Sequence, residues 1–265
     1  MQRNIFEAFI LELPLNNPPG TEIARYFDEY GPIYIYDDGP FRYLSFGSGG
    51  EQSRIEINRP EYPVYQYMQA MLLGLLYQPS PHRVLMLGLG GGSLVQALLS
   101  YSEHVMIDVV ELRPQVVATA AKYFMLPVSD RLTINVNDAL VYLQHANEPQ
   151  DMIFTDLYTD TGMQHQQLQQ EYLQACFRLL NDQGVLILNL WDEGQGFHPL
   201  ASQQLTELFG NNWLCCTVDS GNLVAFAFRG GKPESNPRTL LNGAKKLEKK
   251  LGFPARKLLN RLKEI

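Results

Sequence analysis

VLMLGLGGG, residues 84–92, is the stretch around which the chain is organised. Four apolar residues run into Gly88-Leu89-Gly90-Gly91-Gly92. The next segment, SLVQALLS, has helical spacing, so the glycines fall at a strand-to-helix turn. Glycine suits such a turn because the backbone bends tightly and a ligand can come closer than a Cβ would permit. A dinucleotide fingerprint, G-x-G-x-x-G, requires its third glycine at position 93, where Ser93 stands, and the pattern reads G-x-G-x-G instead. That spacing suits a nucleoside without a pyrophosphate. The competing reading is a glycine-rich turn with no ligand.

Downstream of the turn, strand and helix patterns alternate, as a parallel sheet with crossover helices requires. Strands are expected over 84–87, 105–110, 132–136, 152–155 and 185–189, with Pro114 suited to the first turn of the second crossover helix. After the helical LASQQLTELF, the segments WLCCTV and NLVAFAF are separated only by Asp219-Ser220-Gly221. So short a link makes a hairpin, and the last strand runs antiparallel to its neighbour. A mostly parallel sheet closed by a C-terminal antiparallel hairpin is unlike a dinucleotide-binding fold and matches an α/β, class I methyltransferase-like (Rossmann-like) architecture.

Upstream, PEYPVYQYMQAMLLGLLYQPSP sets Tyr65, Met68, Met71 or Leu72, and Leu75 at helical spacing, a stripe that reads as core. Residues 1–60 read as a small N-terminal β unit, with a hairpin at Asp38-Gly39 and a further strand over 54–57. Within it TEIARYFDEY, between Pro18-Pro19 and Gly31-Pro32, reads as a short helix. Residues 61–230 form the nucleoside-binding domain and 231–265 a basic amphipathic tail. In that tail Leu240, Ala244, Leu247 and Leu251 share one helical stripe, Pro254 interrupts it, and Leu258, Leu259 and Leu262 resume it. The tail reads as a solvated or self-docked helical appendage. It is also the one part suited to nucleic acid.

Composition sets the limits. The 265 residues suffice for one large domain or one with a small appendage, and 45% hydrophobic with 18% charged describes an ordinary soluble globular chain. Glu7 and Glu12 interrupt the N-terminal apolar run, so a signal peptide is not expected, and no apolar run is long enough for a membrane span. Three cysteines, two of them adjacent on an expected strand and facing opposite ways, fit reduced thiols and a cytoplasmic location. The five histidines lack metal-ligand spacing, and no metal is expected. Net charge is −7, unevenly placed: from Arg229 onward 11 Lys/Arg stand against 3 Asp/Glu, +8, leaving −15 on the body. An acidic body suits a cationic substrate, and it equally suits solubility.

Several residues are placed for chemistry. Glu111 ends the second strand of the alternating region, 23 residues after Gly88. A carboxylate there accepts the ribose hydroxyls of a nucleoside lying across Gly88, Gly90 and Gly92. Asp138, ending the third, can accept from an adenine amino group or cap the next helix. Together they describe a pocket for an adenosine with a sulfonium tail. Asp156 ends the fourth strand in FTDLYTD, where carboxylates of an open α/β sheet face the ligand crevice; it can act as general base on an attacking amine or hold a cation. Tyr158 can wall the pocket and stack on a cation. Asp160 can join it or serve as a turn residue.

From about Gln52 to Arg229 the chain resembles the spermidine/spermine synthase family, in its spermidine synthase-like branch. The resemblance rests on YQYM, VLMLGLGGGS, DVVELRP, VNDALVYL, FTDLYTD and EYLQACFRLLNDQGVLILNLW. It implies an aminopropyltransferase on a methyltransferase-like fold with a small N-terminal β domain, a homodimer or other homo-oligomer, and an amine or polyamine substrate. It also implies that Gly88, Gly90, Glu111, Asp138 and Ala139 bind decarboxylated S-adenosylmethionine, that Gln52 lies near the same ligand, and that Asp156 is the base. Tyr65, Ser93, Tyr158 and Asp160 are the candidate substrate contacts. Three positions depart from the family pattern. Ser93 replaces the aspartate of GGGDG, Tyr67 the glutamate of Y-x-E-M, and Asp160 lies one residue too far from Asp156 with no proline after it. The first reading is aminopropyl transfer. The second is methyl transfer from S-adenosylmethionine, for which Ser93 removes a repulsive charge. The third is a non-catalytic nucleoside-binding or interaction protein. A basic residue near the Ser93 turn would favour the second; a carboxylate would oppose it.

Overall fold

The computed structural model describes residues 20–47, 50–160, 162–192, 198–234 and 236–264. The apolar N-terminal run and the Pro18-Pro19 break lie outside them. The first sheet is antiparallel and formed in chain order by β1 (Thr21–Asp28), β2 (Gly31–Asp38), β3 (Phe41–Ser45) and β4 (Glu51–Glu56). Helix α1 (Gln66–Met71) runs on as a 3-10 turn over Leu72–Leu76, wholly buried. It leads into the alternating region: β5 (Arg83–Leu87), α2 (Ser93–Tyr101), β6 (Met106–Glu111), α3 (Pro114–Tyr123), β7 (Leu132–Val136), α4 (Ala139–His145) and β8 (Gln150–Thr155). A small ribbon, β9 (Tyr158–Thr159) with β10 (Gly162–Met163), precedes α5 (Gln170–Leu179), β11 (Leu180–Trp191), α6 (Pro199–Phe209), β12 (Trp213–Thr217) and β13 (Asn222–Phe228). The chain then forms α7 (Pro237–Leu251), α8 (Ala255–Leu259) and β14 (Leu262–Glu264).

The large sheet has the order β14-β12-β13-β11-β8-β5-β6-β7. Strands β7, β6, β5, β8 and β11 are mutually parallel, and β13 lies antiparallel between β11 and β12. The expected hairpin is therefore present, and the fold is a methyltransferase-like α/β sheet beside an antiparallel β sheet. Strand order reverses between β5 and β8. The carboxyl ends of these two strands, with β6 alongside, open the crevice in which such sheets bind ligands. Two apolar layers cover the sheet: one centres on Met86, Phe154, Ile187 and Phe226, the other on Leu85, Ile153, Leu188 and Trp213. Strands buried on both faces read as continuous apolar runs, which is why VLML was legible.

TEIARYFD is a strand, not the expected helix. The Glu29-Tyr30-Gly31 turn returns the chain onto β2, with Asp28 facing Gly31 and Thr21 facing Asp37. Pairing on one edge and largely exposed side chains on β1 decide the conformation against a weak helical propensity. The tail also differs. Helix α7 forms as expected and docks through Ala244, Leu247 and Leu251, but Leu262 belongs to β14, which pairs antiparallel with β12 and covers the sheet edge. Lys250 donates to the Tyr101 carbonyl at 2.6 Å, and Lys246 and Lys250 lie over the Tyr101 ring, so part of the basic charge holds the tail to the body. Among the described residues no helix is long and apolar enough to cross a membrane.

Candidate active site

A cavity of about 660 Å³ lies at the carboxyl ends of β5, β6 and β8 and is roofed by β4 and the start of α1. Backbone bonds fix its floor: Gly88 donates to the Val110 carbonyl at 2.8 Å and Asp156 to the Leu87 carbonyl at 3.0 Å, so the three strand ends are adjacent. Gly88 has φ +97°, and a Cβ on it would stand 2.5 Å from the Asp156 carbonyl oxygen. The turn needs glycine there for both conformation and space. Gly91 donates its N–H to the Ser53 hydroxyl at 3.0 Å, tying the turn to β4.

Glu111 is buried, and its carboxylate accepts from the backbone N–H groups of Leu89 at 3.0 Å and Arg113 at 2.9 Å. Burial raises its pKa, while these N–H groups and the Arg113 charge act the other way. The side chain is thus held in one orientation on the cavity wall. Arg113 is itself buried, paired with Asp28 at 2.8 Å, bonded to the Gly31 carbonyl at 2.8 Å and stacked on Phe46 at 4.5 Å, joining the small sheet to the cavity. Asp138 caps α4: its Oδ1 accepts from Leu140 at 2.8 Å and Val141 at 3.0 Å. The capping reading of Asp138 is therefore the observed one, and Asp138 and Ala139 also line the cavity.

Asp156 sits at the junction of two groups of residues. Asn189 Nδ2 donates to its Oδ1 at 2.8 Å, and the Tyr67 hydroxyl donates to the same carboxylate. Burial pushes its pKa up to about 6, partly offset by those two donors. The chain of bonds continues from Asn222 Nδ2 to Asn189 Oδ1 at 3.0 Å and from the Ser220 hydroxyl to Asn222 Oδ1 at 2.8 Å. Tyr65 donates to Glu51 at 2.5 Å, and Glu51 pairs with Arg54.

The cavity brings together Gln52, Tyr65, Gly88, Gly90, Ser93, Glu111, Asp138, Ala139, Asp156, Tyr158 and Asp160, all singled out in the sequence. Gly92 is not among its walls. It has φ +78°, caps α2, and would push a Cβ to 2.6 Å from Leu126, so its requirement is for packing. Ser93 is buried, with its hydroxyl donating to the Arg54 carbonyl at 3.3 Å. Sequence reasoning missed Asn189, Asn222, Glu51 and Trp191. Asn189 lies near the end of β11 and carried a signal, since carboxyl ends of parallel strands face the crevice. Asn222 begins an antiparallel strand, and only the pairing Trp191↔Asn222 brings it to the same end.

Among the described residues five carboxylates line the cavity, from Glu51, Glu111, Asp138, Asp156 and Asp160, against one lining cation, Arg113, which Asp28 already holds. The spermine/spermidine synthase domain matches residues 64–203, more than half of the chain. The chain belongs to the spermine/spermidine synthase family. It is 27% identical to a polyamine aminopropyltransferase of Chromobacterium violaceum over 88% of this chain and 89% of that one. The spermidine synthase of Thermotoga maritima shares the fold, with TM-score 0.71 and 18% identity over 91% of this chain and 83% of that one. Human methyltransferase-like protein 13, solved in complex with SAH, superposes with TM-score 0.63 and 25% identity over 72% of this chain and 94% of that one.

Proposed function

We propose that the protein transfers an aminopropyl group from decarboxylated S-adenosylmethionine to an amine. The observation that carries this reading is the charge of the cavity. Five carboxylates, of which only Glu51 is paired with a cation, Arg54, and no unpaired cation among the described lining residues suit a sulfonium nucleoside with an ammonium tail, and leave a methionine carboxylate without a partner. In this reading Glu111 accepts the ribose hydroxyls, Gly88 and Gly90 let the nucleoside lie close to the turn, and Asp138, Ala139 and Gln52 surround its base and sugar. Asp156 accepts a proton from the acceptor nitrogen, which forms a bond to the carbon next to sulfur as the carbon–sulfur bond breaks and methylthioadenosine leaves. Catalysis is then mostly positioning, supported by Asp156 as general base. Asp160, exposed at the mouth, attracts the incoming amine, and Tyr65, Ser93 and Tyr158 shape the space around it.

Methyl transfer from S-adenosylmethionine is the second reading. It is favoured by Ser93, which leaves an uncharged hydroxyl where an aspartate would repel the carboxylated tail. Incubation with decarboxylated S-adenosylmethionine and a panel of amines should release methylthioadenosine; methylation of the amines by S-adenosylmethionine, with no such release, would replace the first reading by the second. The reading extends to a division at about 60 and 230 into β unit, nucleoside-binding domain and tail, and to a homodimer. Ile23 and Phe27 are exposed on the edge strand β1, a surface a second copy can cover. Sedimentation at twice the chain mass is the expected result, and a monomer at micromolar concentration would exclude the dimer.

A further inference from the structure

We infer that the acceptor side of this cavity takes a monoamine, with one nitrogen at Asp156 and an uncharged remainder lying against Tyr67, Tyr158 and Trp191. This assignment rests on the aminopropyl-transfer reading. Its first support is a charge count. Glu111 and Asp138 belong to the β6 and β7 ends of the cavity, and Glu51 is already neutralised by Arg54. Among the described lining residues that leaves Asp156 and Asp160 for every cation on the reacting side. Leaving aside the sulfonium, whose charge disappears as the carbon–sulfur bond breaks, the bound nucleoside contributes one terminal ammonium and the first acceptor nitrogen a second, and these two match the two carboxylates. A diamine would add a third ammonium, with no carboxylate among the described lining residues left to meet it, and an unpaired charge drawn even partly out of water is disfavoured.

The second support is what stands beside Asp156. The Tyr67 hydroxyl is directed at the Asp156 carboxylate, so this side chain reinforces the existing anion and supplies no new one. Tyr67 stacks on Tyr65 at 5.7 Å, and the Tyr65 hydroxyl is committed to Glu51. On the other side Tyr158 and Trp191 lie 6.3 Å apart at 54°, and Trp191 is 45% exposed. Ring faces of this kind cover apolar or aromatic surface well, while at a solvent-reaching site they hold a cation only weakly. Gly162, with φ +118°, packs against one side of Trp191 so closely that a Cβ would stand 2.3 Å from the indole.

The test is calorimetric. The protein is saturated with S-adenosyl-3-thiopropylamine, an unreactive thioether that keeps the terminal ammonium, and titrated with 1-aminobutane and 1,4-diaminobutane, which share one carbon skeleton. The monoamine should bind at least tenfold more tightly, and Tyr67→Glu, which adds a carboxylate beside Asp156, should shift the ratio at least tenfold toward the diamine. A wild-type ratio below ten, or no binding of either amine, overturns the monoamine assignment even if the variant does not fold. Failure of the thioether itself to bind overturns the aminopropyl reading along with it, and the two failures are thereby distinguished.

Discussion

Asp156 carries opposite consequences for activity and stability. As a base it must be ionised, so the rate should rise with pH through about 6, where burial has moved its pKa. For stability the sign is reversed. A carboxyl raised from the usual 3.8 to about 6 keeps its proton longer in the folded chain than in the unfolded one, so its contribution to stability falls as pH rises from about 4 to about 6. Above that range the ionised group destabilises the fold by about 3 kcal/mol, the net of burial and the bonds from Asn189 and Tyr67. Asp156→Asn is therefore expected to lower turnover by about 10²- to 10⁴-fold while raising the melting temperature at pH 8 by a few degrees. That difference should vanish near pH 4, and thermal melts across the range check it. Glu111→Gln should weaken nucleoside binding about tenfold or more, a loss of about 1.4 kcal/mol or greater, read by titration. At this scale the sequence was informative where a carboxylate ends or follows a parallel strand, as Glu111 and Asp156 do. It was silent on Asn222, whose place depends on the register of an antiparallel strand.

Elements explain why the glycine turn could be read and β1 could not. VLML is buried on both faces of a central strand and has only one way to be satisfied, so its apolar run and the glycines that end it are a local signature. TEIARYFD is an edge strand with five exposed positions, and its conformation is set by the turn at Glu29-Tyr30-Gly31 and by pairing with β2. A pattern without a buried face leaves helix and strand nearly equal in sequence terms. The same holds for β14, three residues long and defined by the edge of β12. Gly88→Ala tests the turn. A methyl group 2.5 Å from the Asp156 carbonyl at φ +97° forces β8 away from β5, and the variant should lose about 2 kcal/mol of stability and most nucleoside affinity. Melting and titration of the same sample separate this outcome from a ligand-free packing turn, for which affinity would not enter.

Across the molecule, acidic cavity and basic tail are two ends of one charge distribution. The tail docks by its apolar stripe and β14, and its Leu258 covers Cys216 of β12, with the thiol donating to the Leu258 carbonyl at 3.8 Å. All three cysteines are free and buried, and burial raises every thiol, that of Cys216 up to about 12. Native protein at pH 8 should leave a thiol reagent unreacted until denaturant is added, whereupon three thiols per chain are titrated. Loss of the tail's cover would show as early reaction of Cys216. The central claim concerns the cavity's charge, and calorimetric titration with S-adenosylmethionine and, separately, its decarboxylated form tests it most directly. Tighter binding of the decarboxylated form, by tenfold or more, is the predicted result. Tighter binding of the carboxylated form would contradict it, because a carboxylate would then have entered a cavity whose described walls carry Glu111, Asp138, Asp156 and Asp160.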